Sequence, residues 1–183
     1  MKVVPSDLPE VLIIEPKVHG DSRGFFFESF QARRYAEAGI PGPFVQDNLS
    51  RSARGTLRGL HFQEPKAQGK LVQVLRGVVW DVAVDVRRGS PRFGRWVALE
   101  LSESAPRQLW IPPGFAHGFC VLSDSADFFY KCTEVYAPEC ERSIAWNDPS
   151  IGIPWPLSEP LLSPKDRVAP ALREAPVLPS YPG

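Results

Sequence analysis

Three histidines are the side chains in this sequence best suited to moving protons near neutral pH, since imidazole titrates in that range. His19 stands before Gly20-Asp21 and reads as a loop residue. His61 lies in Leu57-Arg58-Gly59-Leu60-His61-Phe62-Gln63, on a strand whose other residues are largely apolar. His117 lies in Pro112-Pro113-Gly114-Phe115-Ala116-His117-Gly118-Phe119, at a turn entering a strand. A lone histidine on an apolar strand is more often a satisfied core residue than a catalyst. A common metal set in small β-barrels is two histidines one residue apart, a carboxylate and a later histidine. Here the flanking positions are Gly59 and Gln63, so that pair is missing. His61 and His117 with a carboxylate would still satisfy a two-histidine facial triad, which points to an iron-dependent oxygenase or a sugar isomerase. Cys120, Cys132 and Cys140 have no CxxC spacing and read as buried free thiols.

The elements that must hold these residues are short strands. Val78-Val79-Trp80-Asp81-Val82-Ala83-Val84-Asp85-Val86 alternates most clearly, with Val or Trp at even positions and Asp81 and Asp85 among the odd ones. That period predicts one face in a core and the other on something polar, either a ligand cavity or solvent. Further strands are predicted over residues 11–15, 25–30, 44–50, 56–63, 71–76, 96–102, 108–111, 118–122, 128–136 and 143–146. One helix is predicted over 31–38, with Ser29 capping its start and Gly39 ending it. From Pro149 onward the chain carries nine of its 20 prolines, so this tail should hold little sheet and drape over the barrel in short turns or helical pieces. About ten short strands with few helices suggest a sandwich, jelly roll or barrel. The expectation is one all-β domain over 1–183, its barrel core about 44–147 and its tail about 149–183.

Composition narrows the function classes. With 43% apolar and 23% charged residues the chain has a soluble globular composition, and its formal net charge is zero. Nothing in that balance calls for nucleic acid or an anionic membrane as partner. Met1 to Glu10 has no apolar run after a basic start, and no stretch approaches the roughly 20 apolar residues of a membrane span. A cytoplasmic location is the expectation.

Several segments carry a stronger signal together than apart. They are Glu15-Pro16-Lys17-Val18, Gly20-Asp21-Ser22-Arg23-Gly24-Phe25-Phe26-Phe27-Glu28-Ser29, Phe44-Val45-Gln46-Asp47-Asn48 and the His61 segment. Gln68-Gly69-Lys70-Leu71-Val72, Trp80-Asp81-Val82-Ala83-Val84-Asp85, Gln108-Leu109-Trp110-Ile111-Pro112 and the His117 segment follow in order. Trp146-Asn147-Asp148-Pro149-Ser150-Ile151-Gly152-Ile153 and Ser163-Pro164-Lys165-Asp166 close the series. In this order, over nearly the whole chain, they resemble the dTDP-4-dehydrorhamnose 3,5-epimerase family.

The resemblance implies a cupin-type jelly-roll β-barrel, a homodimer, a dTDP-linked 4-keto-6-deoxy sugar as substrate, and no metal or organic cofactor. That last implication decides against the oxygenase reading. It implies His61 as base, Asp166 as its orienting carboxylate, Lys70 as oxyanion stabiliser and Tyr130 as acid. The chemistry is coherent. A proton beside a ketone leaves only if the enolate oxygen is stabilised, and neutral imidazole suits its removal. A carboxylate on the other ring nitrogen fixes the tautomer, and inversion needs an acid on the opposite face. By residue alone, Tyr130 would be a barrel-wall aromatic and Lys70 a solvated turn lysine.

The same match implies that Arg23, Glu28, Gln46, Asn48, Arg58, His117, Glu141 and Lys165 bind nucleotide or sugar, with Phe26 and Tyr136 packing on the base. Arg23 and Glu28 would reach the neighbouring subunit's pocket by exchange of an N-terminal strand. Arg58 lies three residues from His61, so a regular strand would point them to opposite faces, unless Gly59 permits a bulge. His19 departs from the family, which often carries an aromatic apolar residue there. The reaction implied is epimerisation at C3 and C5 of dTDP-4-dehydro-6-deoxyglucose to dTDP-4-dehydrorhamnose. Inversion at one centre only is the nearest alternative. A catalytically silent sugar-nucleotide binding barrel is a more distant one.

Overall fold

A computed structural model of the chain describes residues 1–182. Two antiparallel sheets face each other. The larger contains β1 (Lys2–Pro5), β2 (Leu12–Glu15), β5 (Gln46–Ala53), β7 (Lys70–Arg76), β10 (Gln108–Ile111) and β12 (Ser125–Cys132), in the order β1-β2-β10-β7-β12-β5. The smaller contains β6 (Leu57–Gln63), β8 (Val78–Asp85), β9 (Trp96–Ser102), β11 (Phe115–Val121) and β13 (Glu141–Ser143), in the order β13-β6-β11-β8-β9. The hairpin of β3 (His19–Asp21) and β4 (Gly24–Phe26) stands apart from both. Sheet structure therefore begins well before residue 44, because β1 and β2 extend the larger sheet along β10.

Alternation sorts the side chains into three layers. Val72, Val74, Leu109, Ile111 and Phe128 from one sheet meet Val79, Ala83, Phe115, Phe119 and Val121 from the other in the core between them. Outside the larger sheet, Tyr35 and Ile40 close over Ile14, Leu71 and Trp110. Outside the smaller sheet, Ile151, Leu172 and Ala175 of the tail cover Leu60, Val82, Val84 and Ile144. Both faces of β8 are thus buried, the even one under the tail and the odd one in the interior. Asp81 and Asp85 are 0% exposed, which removes the solvent-facing reading of the alternation.

Helix α1 (Ala32–Glu37) matches the predicted segment, but its cap is Gln31, whose side chain accepts from the Arg34 backbone N–H at 2.6 Å. Ser29 instead offers its carbonyl to Gln108 Nε2 at 2.7 Å. The predicted strand 25–30 stops at Phe26, and that over 128–136 ends at Cys132, leaving Tyr136 beyond the ladder. Conversely, β11 starts at Phe115, so His117 is a mid-strand residue rather than a turn residue.

The proline-rich tail is nearly free of sheet. It pairs Leu161 with Thr56 in an isolated bridge, forms α2 (Pro164–Arg167) and turns once at Leu172–Glu174. Asp148 ties it down, accepting from the backbone N–H of Ser150 at 2.8 Å and of Leu172 at 2.7 Å. All three cysteines are buried free thiols.

Candidate active site

The space between the sheets opens into a cavity of about 450 Å³ with an adjoining lobe of about 270 Å³, and His61, Lys70, Tyr130 and Glu141 line both. This is the size of a small-ligand site. His61 projects from β6 and its Nε2 lies 2.6 Å from Asp166 Oδ1. Asp166 is 3% exposed and comes from α2, 105 residues further along the chain. Burial pushes its carboxyl upward, but hydrogen bonds with His61 and Ser163 outweigh that and hold it below the ordinary aspartate value. An ionised Asp166 accepts from His61 Nε2–H, which leaves Nδ1 with the lone pair.

Lys70 is the first residue of β7 and shares its inner face with Val72 and Val74. Burial lowers its ammonium pKa, while Cys132, Asp81 and Glu141 pull it back up. Tyr130 stands on the adjacent strand β12, and burial followed by the neighbouring Cys132 raises its phenol above the ordinary value, with Arg58 opposing. A phenol so placed stays protonated at neutral pH. Beside β12 at the sheet edge, the inner row of β5 brings Gln46, Asn48 and Ser50 to the cavity wall. Gln46 donates to Asn48 Oδ1 at 2.9 Å, and Asn48 Nδ2 lies 3.6 Å from Cys132 Sγ.

Arg58 and His61 both face the cavity because β6 carries one extra residue. His61 pairs with His117, but Arg58 pairs with Phe119, so three steps on β6 match two on β11. Gly59 makes this possible: its φ is +139°, and a Cβ there would lie 2.5 Å from Gly118 Cα. Arg58 Nε is steadied by Ser52 Oγ at 3.0 Å.

His117 lies against Asp81, Nε2 to Oδ2 at 2.9 Å, and its ring stacks on Phe128 at 5.8 Å. Burial raises the Asp81 carboxyl, with His117 and Lys70 opposing, and its Oδ1 has no hydrogen-bond partner among the described residues. At the mouth, Lys165 Nζ donates to Glu141 Oε1 at 2.6 Å and Tyr136 Oη to Glu141 Oε2 at 3.2 Å.

Of the residues singled out in the sequence, His61, Asp166, Lys70, Tyr130, Gln46, Asn48, Arg58, His117, Tyr136, Glu141 and Lys165 all line this cleft. Arg23, Phe26 and Glu28 do not. Arg23 and Phe26 belong to the exposed β3–β4 hairpin, where Arg23 pairs with Asp21, while Glu28 pairs with Arg34 at 2.6 Å. His19 is in the same hairpin, exposed beside Arg23 and Phe26. Sequence reasoning passed over Ser50, Ser163, Phe119, Phe128 and Cys132 as cavity residues. Ser50 was findable from its period-two spacing to Gln46 and Asn48. Among the described residues, no group of three or more His, Cys, Asp or Glu is arranged to hold a metal ion.

A cupin-type jelly roll whose cavity joins a histidine–aspartate pair to a lysine and a buried phenol has the equipment of a proton-transferring isomerase. The family model for dTDP-4-dehydrorhamnose 3,5-epimerase matches residues 5–174. A dTDP-4-dehydrorhamnose 3,5-epimerase of Pseudomonas aeruginosa is 58% identical over 181 residues, 98% of this chain and 100% of that one. A crystal structure of the dTDP-6-deoxy-D-glucose-3,5-epimerase of Legionella pneumophila, in complex with dTDP-4-keto-L-rhamnose, is 56% identical. It superposes with a TM-score of 0.97, covering 100% of this chain and 99% of that one. A dTDP-4-dehydrorhamnose 3-epimerase of Streptomyces niveus is 40% identical, over 99% of this chain and 90% of that one. The chain belongs to the dTDP-4-dehydrorhamnose 3,5-epimerase family.

Proposed function

We propose that this protein inverts C3 and C5 of dTDP-4-dehydro-6-deoxyglucose, giving dTDP-4-dehydrorhamnose, by removing and returning protons beside the C4 ketone. The observation that carries the reading is the His61–Asp166 contact of 2.6 Å at the wall of a cavity shared with Lys70 and Tyr130. His61 Nδ1 takes the proton, and Asp166 stabilises the imidazolium that results. Lys70 meets the enolate oxygen, where exclusion of water strengthens its charge. Tyr130, kept protonated by burial, returns a proton from the opposite face at C5.

Arg58 and Lys165 bring positive charge to the diphosphate, a guanidinium being suited to paired phosphate oxygens. Gln46, Asn48, His117 and Glu141 hold sugar and nucleotide, and Tyr136 packs on the base. Arg23, Phe26 and Glu28 act on the neighbouring subunit's pocket in a homodimer. The exposed hairpin, with Phe25 66% and Phe26 70% exposed, supports this reading. Among the described residues, no helix is long and apolar enough to cross a membrane. A cytoplasmic location is a separate part of this proposal, resting on the chain's composition.

In favour of the single-centre reading stands the 40% identical relative that bears a 3-epimerase name. The 58% identical relative with a 3,5-epimerase name supports double inversion more strongly. Proton NMR of the sugar after incubation with dTDP-4-dehydro-6-deoxyglucose separates the two. Inversion at both carbons is expected, and inversion at one alone overturns the assignment.

A further inference from the structure

We propose that Ser163 is a positioning residue for this reaction, its hydroxyl holding the Asp166 carboxylate in the orientation that sets His61 as a base. The inference rests on the function proposed above. Asp166 receives His61 Nε2–H on Oδ1 at 2.6 Å, and the Ser163 hydroxyl donates to Oδ2 at 2.8 Å. A donor on each oxygen restrains a carboxylate's rotation about its Cβ–Cγ bond more than a single donor can, and here each oxygen has one. The same Ser163 Oγ accepts from the Asp166 backbone N–H at 3.2 Å. Its single hydrogen is therefore committed to Asp166, although Ser163 borders the cavity.

The backbone around Ser163 is fixed independently of its hydroxyl. Two residues earlier, Leu161 N–H donates to Gly55 O at 2.8 Å and Leu161 O accepts from Leu57 N–H at 3.0 Å. Leu57 begins β6, the strand that carries His61, so both partners of the dyad are referenced to one element. On the other side, Pro164 fixes φ at the first helical position and Arg167 N–H donates to Ser163 O at 3.2 Å. A serine at this position is formally a helix cap. However, α2 has four residues, and a cap needs only an acceptor. The donated bond to Oδ2 goes beyond capping and serves the carboxylate.

The test compares Ser163→Ala and Ser163→Thr with the wild type. Ser163→Ala should lower kcat about tenfold, less than the roughly 10²–10⁴-fold contributed by a general base itself, because it acts through Asp166. KM and thymidine diphosphate affinity should stay within about twofold, because the hydroxyl's hydrogen is committed to Asp166. Ser163→Thr, which keeps the donor, should restore kcat. Ring ¹⁵N shifts of His61, measured without substrate, should show the Nε2–H tautomer in the wild type and Ser163→Thr and a mixture in Ser163→Ala. A wild-type tautomer signature in Ser163→Ala, or a loss of kcat that threonine fails to restore, overturns the proposal. The ¹⁵N measurement decides it even if the wild type turns over a different substrate, so failure of the functional reading is seen separately.

Discussion

Tyr130 and His61 are prepared in opposite ways. Burial and the Cys132 neighbour keep the Tyr130 phenol protonated, whereas Asp166 orders the His61 ring so that one nitrogen is free to accept. Removal and return of a proton on one face gives exchange without inversion, so the acid must be a separate group. Tyr130→Phe removes only the phenolic oxygen and leaves the ring beside Phe128, 6.0 Å away. In deuterated water this variant should still exchange a substrate proton through His61, while net inversion at C5 falls by about 10²-fold. Inversion of both centres at the wild-type rate would assign the acid role to water or another side chain. Spacing alone left His61 between core residue and catalyst. Its partner Asp166 lies 105 residues away, and only the family resemblance linked them. The partner of His117 was less legible still. Asp81 stood out as a polar position in an apolar strand, but period-two alternation cannot tell a cavity from solvent when a tail covers the outer face.

At the scale of elements, two features bring the cavity together: the extra residue in β6 and the tail strapped across β6, β8 and β11. The bulge was legible, because Gly59 sits between two residues that both needed to face inward. Strand ends at Phe26 and Cys132 were not, because strand-favouring residues (Phe27, then Thr133, Val135 and Tyr136) continue past the last ladder bond. The tail's lack of sheet followed from its prolines, but its anchors did not, since they are hydrogen bonds to buried carboxylates. Asp148 is one of these. Burial pushes its carboxyl up, yet donors from Leu172 and Ser150 bring it below the ordinary aspartate value of 3.8, and Asp166 behaves alike. A depressed folded-state pKa contributes stability that is complete above 3.8 and is lost as pH falls through the depressed value. The melting temperature should therefore drop between about pH 5 and about pH 3, and Asp148→Asn should lower it at pH 5 and flatten the drop. An equally steep drop in the variant would contradict this account of the tail.

For the whole molecule, the features left without a role inside one chain point outward. β5 is an edge strand with Leu49 66% exposed, and the β3–β4 hairpin projects Phe25 and Phe26 away from its own cavity. If the hairpin serves a second copy, Arg23→Ala and His61→Ala subunits should complement each other. A mixed dimer rebuilds one pocket in which His61 and the partner's hairpin are both intact, and activity absent from either parent should return. A fully active monomer by light scattering would rule the exchange out. The central claim is that His61 removes the protons at both carbons, and deuterium incorporation in the sugar tests it most directly. In deuterated water the wild type should place deuterium at C3 and C5 with both centres inverted. His61→Ala should label neither while still binding thymidine diphosphate, and labelling by that variant at the wild-type rate would contradict the account.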